Sequence, residues 1–385
     1  MSDILERLER RYEEDMRTGP VPVTDASELP LSYEMITDAW LTDALCPKGS
    51  GARIIGHSFG PADNGSSERR TLEVDYDGTG RALGLRTRFF CKASMGLPSR
   101  VGIGITGAAW AESNFYRHIR PHLDIEAPLG FYGKVDPDSL VSMVILEDIR
   151  DRVAEFGHHT TKITRKRAED QVETLARVHG AGYANPEVRR HLAAFSTWPD
   201  YFDRTLSFGL EQACREGFRM AEPVLPARLF AREGEIWPKT IASLDRHRRG
   251  DDSYVHCDVH LRNWYVTRDD RMGLADWQCS SRGHWSRDLA YCLSVGLDIE
   301  DRRAWERELL ALYLDRLAAH GGPRVGFAEA FDDYRAQMMT VLAWWTITLN
   351  PAPSMPEELQ PRDSTLCFLE RIGTAMDDLE TLDAF

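Results

Sequence analysis

The sequence predicts an α+β protein with two lobes, a small one built on an antiparallel sheet and a larger helical one. Three observations carry this. Between Ala52 and Asp148, short strand-like runs are separated by turn residues. One helical stretch, Gly107 to His122, interrupts them. Beyond Asp151 the apolar spacing becomes helical and, with one exception, stays so to the end of the 385 residues.

Each element has its own local reason. Residues 3–16 read as a short amphipathic helix, with Asp3 and Glu6 in a capping-box-like arrangement and Ile4, Leu5, Leu8 and Tyr12 on one side. A second helix is expected over Tyr33–Leu45, where Ile36, Trp40, Leu41 and Leu45 recur at helical spacing. RIIGHSF, TLEVDY and GLRTRFFCK then form a meander, broken by GPADNGSS and DGTGRA. LGFYGKV and SLVSMVILED add two strands after the helix, with Asp136-Pro137-Asp138 in the turn between them. Helices are expected at roughly 163–182, 198–218, 238–248, 286–296, 302–320, 327–349 and 363–379. The exception is 253–278, which reads as strand-and-loop pieces. The expected organisation is an N-terminal helical extension over 1–50, a sheet lobe over 51–149 and a helical lobe over 150–385.

Composition narrows the function. Hydrophobic residues at 42% and charged residues at 28% exclude a disordered or collagen-like chain. A net charge of −14 without a Lys/Arg block argues against nucleic acid or an anionic membrane as partner, leaving room for a local phosphate-binding pocket. The N-terminus has no apolar core of a signal peptide, and the longest apolar stretch, Met338–Leu349, is short of the ~20 residues of a membrane span. Seven scattered cysteines without a CxxC pair read as free thiols of a cytoplasmic protein.

The strongest signal is His256-Cys-Asp258-Val-His260-Leu-Arg-Asn263, followed by Asp276-Trp277-Gln278. Asn263 stands five positions after Asp258, the spacing of a kinase catalytic loop, where the Asp receives a hydroxyl proton and the Asn holds metal. A hairpin with Asp269-Asp270-Arg271 at its turn separates Asn263 from Asp276 and would return two hard oxygen donors to one Mg²⁺ ion. A chance grouping of polar residues at a strand turn would not supply this order. Upstream, Lys92 ends the apolar run Phe89-Phe90-Cys91, and Glu112 lies in the helix AAWAESNFYRHI. That order is the one expected of a phosphate-contacting lysine and its carboxylate partner.

These residues resemble the aminoglycoside phosphotransferase and choline kinase-like family. HCDVHLRN with LADWQ is similar to its catalytic segment, and DWQ with RGHWSRDLAY resembles bacterial ecdysteroid-kinase-like members. The resemblance implies a bilobal protein-kinase-like fold, with a nucleotide-binding N-lobe and a catalytic and acceptor-binding C-lobe. It implies transfer of the γ-phosphoryl group of ATP, or of GTP, to a hydroxyl of a small molecule, with Mg²⁺ held by Asn263 and Asp276. Asp258 would be the catalytic residue, Lys92 and Glu112 the phosphate-aligning pair, and the main chain of Glu147 and Ile149 the adenine-binding hinge. The family usually has Gly where this chain has Cys257, and often where it has Arg262, which leaves the acceptor open between apolar alcohols, aminoglycosides, choline and hydroxyacyl thioesters. The alternative is a nucleotide-binding pseudokinase acting as sensor or scaffold, although Asp258, Asn263 and Asp276 are all present.

Other features are read as structural. Gly102-Ile-Gly104-Ile-Thr-Gly107 fits GxGxxG, but no strand ends directly before it, so the phosphate-covering turn is expected at Gly60–Ser67 instead. His256 and Asp288 are expected to brace the catalytic loop, and His260 to do the same or to lie near the phosphates. Trp344 and Trp345 suit either an acceptor wall or helix packing.

Overall fold

The computed structural model describes every residue except Met1, Pro20, Ser207, Phe208, Gly250, Asp251, Pro353, Ser354, Pro356 and Glu357. The chain divides into two compact units, Met1–Pro121 with Pro128–Asp151, and His122–Ala127 with Arg152–Phe385. The first unit therefore takes in the N-terminal helices, and six residues ahead of its last two strands are counted with the second.

Strands β1 (Ile54–Phe59), β2 (Asp63–Asn64), β3 (Glu68–Tyr76), β4 (Arg88–Ser94), β5 (Gly130–Val135) and β6 (Ser142–Glu147) form the sheet of the first unit. Its order is β1-β3-β4-β6-β5, with β2 on β3, and every pairing is antiparallel. Strand alternation decides which side chains meet. Phe89, Cys91 and Ala93 of β4 join Leu72, Val74, Met143 and Ile145 in a core that Met35, Ile36, Trp40 and Leu41 complete. Lys92 points to the other face.

One expected helix is broken for a local reason, and one expected turn contains a helix. Tyr33–Met35 forms only a 3₁₀ turn, and the helix starts at Asp38 because the Thr37 hydroxyl accepts from Trp40 N at 3.1 Å, an N-cap that ends the preceding turn. The turn DGTGRA contains a short helix, Gly78–Ala82, capped by Asp77 through Gly80 N. The first helix runs Ser2–Thr18, while the Asp3 side chain, read as part of a capping box, lies outside what is described.

The second unit is helical, with helices at Arg165–Ala184, Ser286–Gly296, Ile299–Ala319, Phe327–Leu349 and Arg362–Asp378. The expected 198–218 helix is two, Trp198–Leu206 and Leu210–Met220, the second entered through Gly209 at φ +85°. Two small sheets carry the loops of interest. In one, β9 (Trp264–Thr267) pairs with β10 (Met272–Leu274) and β7 (Val153–Phe156). In the other, β8 (Ser253–Val255) pairs with β11 (Ser281–Gly283). Among the described residues no helix is long and apolar enough to cross a membrane.

Candidate active site

In the first unit, Lys92 Nζ lies 2.6 Å from Glu112 Oε1, with both side chains buried. Glu112 rides on the helix Ala108–Asn114, which Gly107 opens at φ +86°. The stretch joining strand to helix is held at two points. Glu68 accepts from Met95 N at 3.1 Å, Gly96 N at 2.9 Å and Ser99 Oγ at 3.0 Å. Arg100, fully buried, donates to Met95 O at 2.8 Å and reaches Asp15 of the first helix at 2.6 Å. Of the GxGxxG glycines only Gly104 serves packing: a Cβ there would sit 2.8 Å from that of Leu140, whereas one on Gly102 would meet open space.

Glu147 closes β6 and Ile149 lies two residues beyond it, both buried. The Glu147 carboxylate is taken up by Arg86 at 2.9 Å and Leu129 N at 3.2 Å, and its own N–H donates to Leu129 O at 2.8 Å. The carboxylate and the N–H of Glu147 are thus both engaged inside the first unit.

In the second unit, β8 leads into the loop His256–Asn263, and the β9–β10 hairpin, with Trp264 opposite Leu274, returns the chain to Asp276. Ala275 N extends that ladder to Asn263 O at 2.8 Å, which brings Asp276 alongside Asn263. Asn263 Nδ2 donates to Asp258 O at 2.7 Å and Oδ2 at 3.1 Å, so the amide oxygen is the atom not used toward Asp258. The other carboxylate oxygen, Oδ1, accepts from Tyr291 OH at 3.1 Å, and His260 Nε2 lies 3.5 Å from Oδ2. Burial pushes the Asp258 carboxyl up, but His260 beside it and the Tyr291 hydroxyl outweigh it and hold the pKa below the usual carboxylate value. Asp258 is thus an anion with directed lone pairs and a weak base.

The loop is braced from behind. Asp288, fully buried, accepts from His256 N at 2.7 Å and Cys257 N at 2.8 Å, with His179 Nε2 at 3.1 Å. Burial opposes ionisation of Asp288, yet the His179 contact and the loop N–H groups keep its pKa low. His256 accepts from Asp258 N on Nδ1 at 3.2 Å and donates from Nε2 to Ala275 O at 3.0 Å. That is the pattern of a neutral imidazole, and burial lowers its pKa. Cys257 and Asp276 both sit in left-handed backbone, at φ +67° and +61°. Glycine adopts that conformation without strain, whereas the side chains of Cys257 and Asp276 disfavour it.

Asn263 and Asp276 offer the hard oxygen donors that Mg²⁺ prefers, and Mg²⁺ commonly takes one or two protein ligands together with phosphate oxygens. Among the described residues no group of three or more His, Cys, Asp or Glu is placed to hold a metal by itself. Trp345 packs on His260 and Phe368, and Trp344 on Trp198, Tyr201 and Phe202, so both belong to helix packing around the loop. Sequence reasoning missed Arg287 and Tyr291. Their one signal was their i, i+4 spacing around Asp288 on a single helix.

Residues 108–328 match the phosphotransferase enzyme family (APH), while no curated protein matches the sequence. Among solved structures, a Ralstonia eutropha JMP134 protein named as a candidate aminoglycoside phosphotransferase is 16% identical, covers 90% of this chain and 97% of its own, and superposes with a TM-score of 0.50. The Plasmodium vivax ethanolamine kinase is 10% identical over 91% of this chain and 87% of its own, with a TM-score of 0.48. The Streptococcus pneumoniae choline kinase LicA is 12% identical over 86% and 94%, with a TM-score of 0.45. The family match does not single out the ecdysteroid-kinase-like members. With more than half of its length matched, this α+β, bilobal, protein-kinase-like chain belongs to the APH phosphotransferase enzyme family.

Proposed function

We propose that the protein is a small-molecule kinase that moves the γ-phosphoryl group of ATP, with GTP as the other nucleotide to be tested, to a hydroxyl of a small acceptor. The observation that carries this reading is the Asp258–Asn263 contact with Asp276 drawn alongside by the hairpin. That group has the composition and order of a phosphoryl-transfer site.

In this reading Lys92, fixed by Glu112, aligns the α- and β-phosphates, and the main chain at Glu147 and Ile149 receives the base. Asn263 and Asp276 hold Mg²⁺, which supplies charge neutralisation on the phosphates. Asp258 accepts a hydrogen bond from the acceptor hydroxyl and orients its oxygen toward phosphorus. As the new O–P bond forms and the bond from phosphorus to the β-phosphate oxygen breaks, the hydroxyl proton passes to the Asp258 carboxylate and the nucleoside diphosphate leaves. A carboxylate with a lowered pKa takes that proton late, so most of the acceleration comes from positioning and electrostatics.

The acceptor in this reading is a hydroxyl compound with substantial apolar surface, the class implied by the resemblance of DWQ and RGHWSRDLAY to ecdysteroid-kinase-like members. The test is incubation with MgATP or MgGTP and a mixed library of alcohols, steroids, aminoglycosides and hydroxyacids, read by mass spectrometry. A product 80 Da heavier in the alcohol or steroid set is expected, 80 Da being about the mass a phosphoryl group adds. Products confined to aminoglycosides would overturn the apolar acceptor. Nucleotide binding without product from any acceptor would overturn the kinase reading in favour of a sensor.

A further inference from the structure

The loop that carries Asp258 is gripped by one turn of one helix. Three side chains of Ser286–Gly296 hold three consecutive loop residues. Asp288 receives the N–H groups of His256 and Cys257, Arg287 Nη2 donates to Cys257 O at 3.2 Å, and Tyr291 OH donates to Asp258 Oδ1 at 3.1 Å. Arg287 and Tyr291 stand at i and i+4, on one face of the helix.

Arg287 is hard to explain by stability alone. It is fully buried, and its Nε and Nη1 have no hydrogen-bond partner among the described residues. It lies in the first turn of its helix, where the macrodipole disfavours a cation. It is kept in place by aromatic faces, its guanidinium carbon 4.4 Å from the centre of the Trp198 ring and 5.0 Å from that of Tyr291. A cation carried into the interior at that cost has, among the described residues, one direct hydrogen bond, to the carbonyl of Cys257. That residue holds a left-handed backbone with a side chain that disfavours it.

We propose that Arg287 and Tyr291 are positioning residues for the phosphoryl transfer, Arg287 by pinning the left-handed Cys257 peptide in place of the freedom a glycine would give, and Tyr291 by fixing the Asp258 carboxylate. The proposal rests on the kinase reading above. It names a division of labour: Asp288 sets where the loop begins, Arg287 sets its turn, and Tyr291 sets the plane in which the carboxylate meets the acceptor oxygen.

The test uses the full chain with Arg287→Met, Tyr291→Phe and Cys257→Gly, singly and in pairs. MgATP binding is measured by calorimetry and folding by circular dichroism. Turnover is measured as MgATP hydrolysis, with water standing in for the acceptor hydroxyl, and with the best acceptor from the library. Arg287→Met and Tyr291→Phe should each lower kcat by roughly 10- to 100-fold, the scale of a misplaced catalytic group, with little change in MgATP affinity. Adding Cys257→Gly should recover most of the loss in Arg287→Met, because glycine takes the turn unaided, and none of it in Tyr291→Phe. A buried arginine serving only the core would show no such selective rescue. Failure of Cys257→Gly to rescue Arg287→Met, or wild-type turnover in Tyr291→Phe, would overturn the proposal alone. Should Arg287→Met not fold, Tyr291→Phe, which removes a single oxygen, decides the matter. A wild-type chain that neither hydrolyses MgATP nor phosphorylates any acceptor would overturn the kinase reading and this proposal together.

Discussion

Lys92 Nζ and Glu112 Oε1 lie 2.6 Å apart, 20 residues apart in sequence and buried on both sides. Removing one partner strands a charge in the interior, a loss of about 3–5 kcal/mol for buried pairs. Lys92→Met should lower the melting temperature of the ligand-free protein and shrink the rise produced by millimolar MgATP, both measured by thermal denaturation. The double variant Lys92→Met/Glu112→Gln should regain stability without regaining the nucleotide shift.

Asp258 and Asp276 should separate in their effects. Asp258→Asn should keep MgATP binding and lose roughly 10²- to 10⁴-fold in turnover, the range for a lost general base. Asp276→Ala should weaken MgATP binding as well as turnover, since it removes a metal ligand. Titration calorimetry with and without Mg²⁺, alongside the transfer assay, distinguishes the two. Equal behaviour of the two variants would remove the separate roles assigned here.

His247 sets an acid limit on stability. It accepts from His284 N on Nδ1 at 3.0 Å and meets Gln337 Oε1 through Nε2 at 2.8 Å, so its neutral form fills both partners. Burial, with the neighbouring His284 and Arg287, lowers its pKa to about 3 against the favourable Gln337 and Asp288 contacts. Between the unfolded value near 6.5 and pH 3 the unfolded chain binds the extra proton. This contribution is therefore complete above pH ~6.5 and declines as the pH falls, by up to about 1.4 kcal/mol per pH unit. Urea midpoints from pH 7 to 4 should fall, and His247→Gln should flatten that limb.

The Asp15–Arg100 contact gives the N-terminal helix a measurable role. Asp15→Ala leaves a fully buried guanidinium without its carboxylate, again about 3–5 kcal/mol for a broken buried pair. Because Arg100 lies on the stretch between the Lys92 strand and the Glu112 helix, the MgATP-induced thermal shift should shrink too. Deleting residues 2–18 should reproduce both effects.

Much of the architecture could be read from periodicity. The helices at 286–296 and 327–349 begin and end where the apolar spacing says, because each is buried along most of its length. The break at Thr37 was missed because a single hydroxyl cap outweighs the helical spacing of Ile36, Trp40 and Leu41. Strands β7 and β11 were missed because three or four residues are too few to show a period. The residues of the candidate site were visible because their order and spacing along the chain are themselves the signal. Arg287 and Tyr291 were not, since a buried arginine and a core tyrosine look alike in sequence whether or not they touch a catalytic loop.

The chain passes from one compact unit to the other three times, because His122–Ala127 is counted with the second unit while its flanks are counted with the first. Within the second unit this hexapeptide is engaged throughout: Glu126 takes Tyr265 OH and Arg152 Nε, each at 2.8 Å, its carbonyl takes Leu274 N, and Asp124 pairs with Arg177. A dissection at residue 151 would leave the C-terminal fragment without that carboxylate and with an open edge beside β10. Split-protein or domain-exchange designs would have to begin the C-terminal piece with a grafted copy of residues 122–127, or use a circular permutation that keeps it attached.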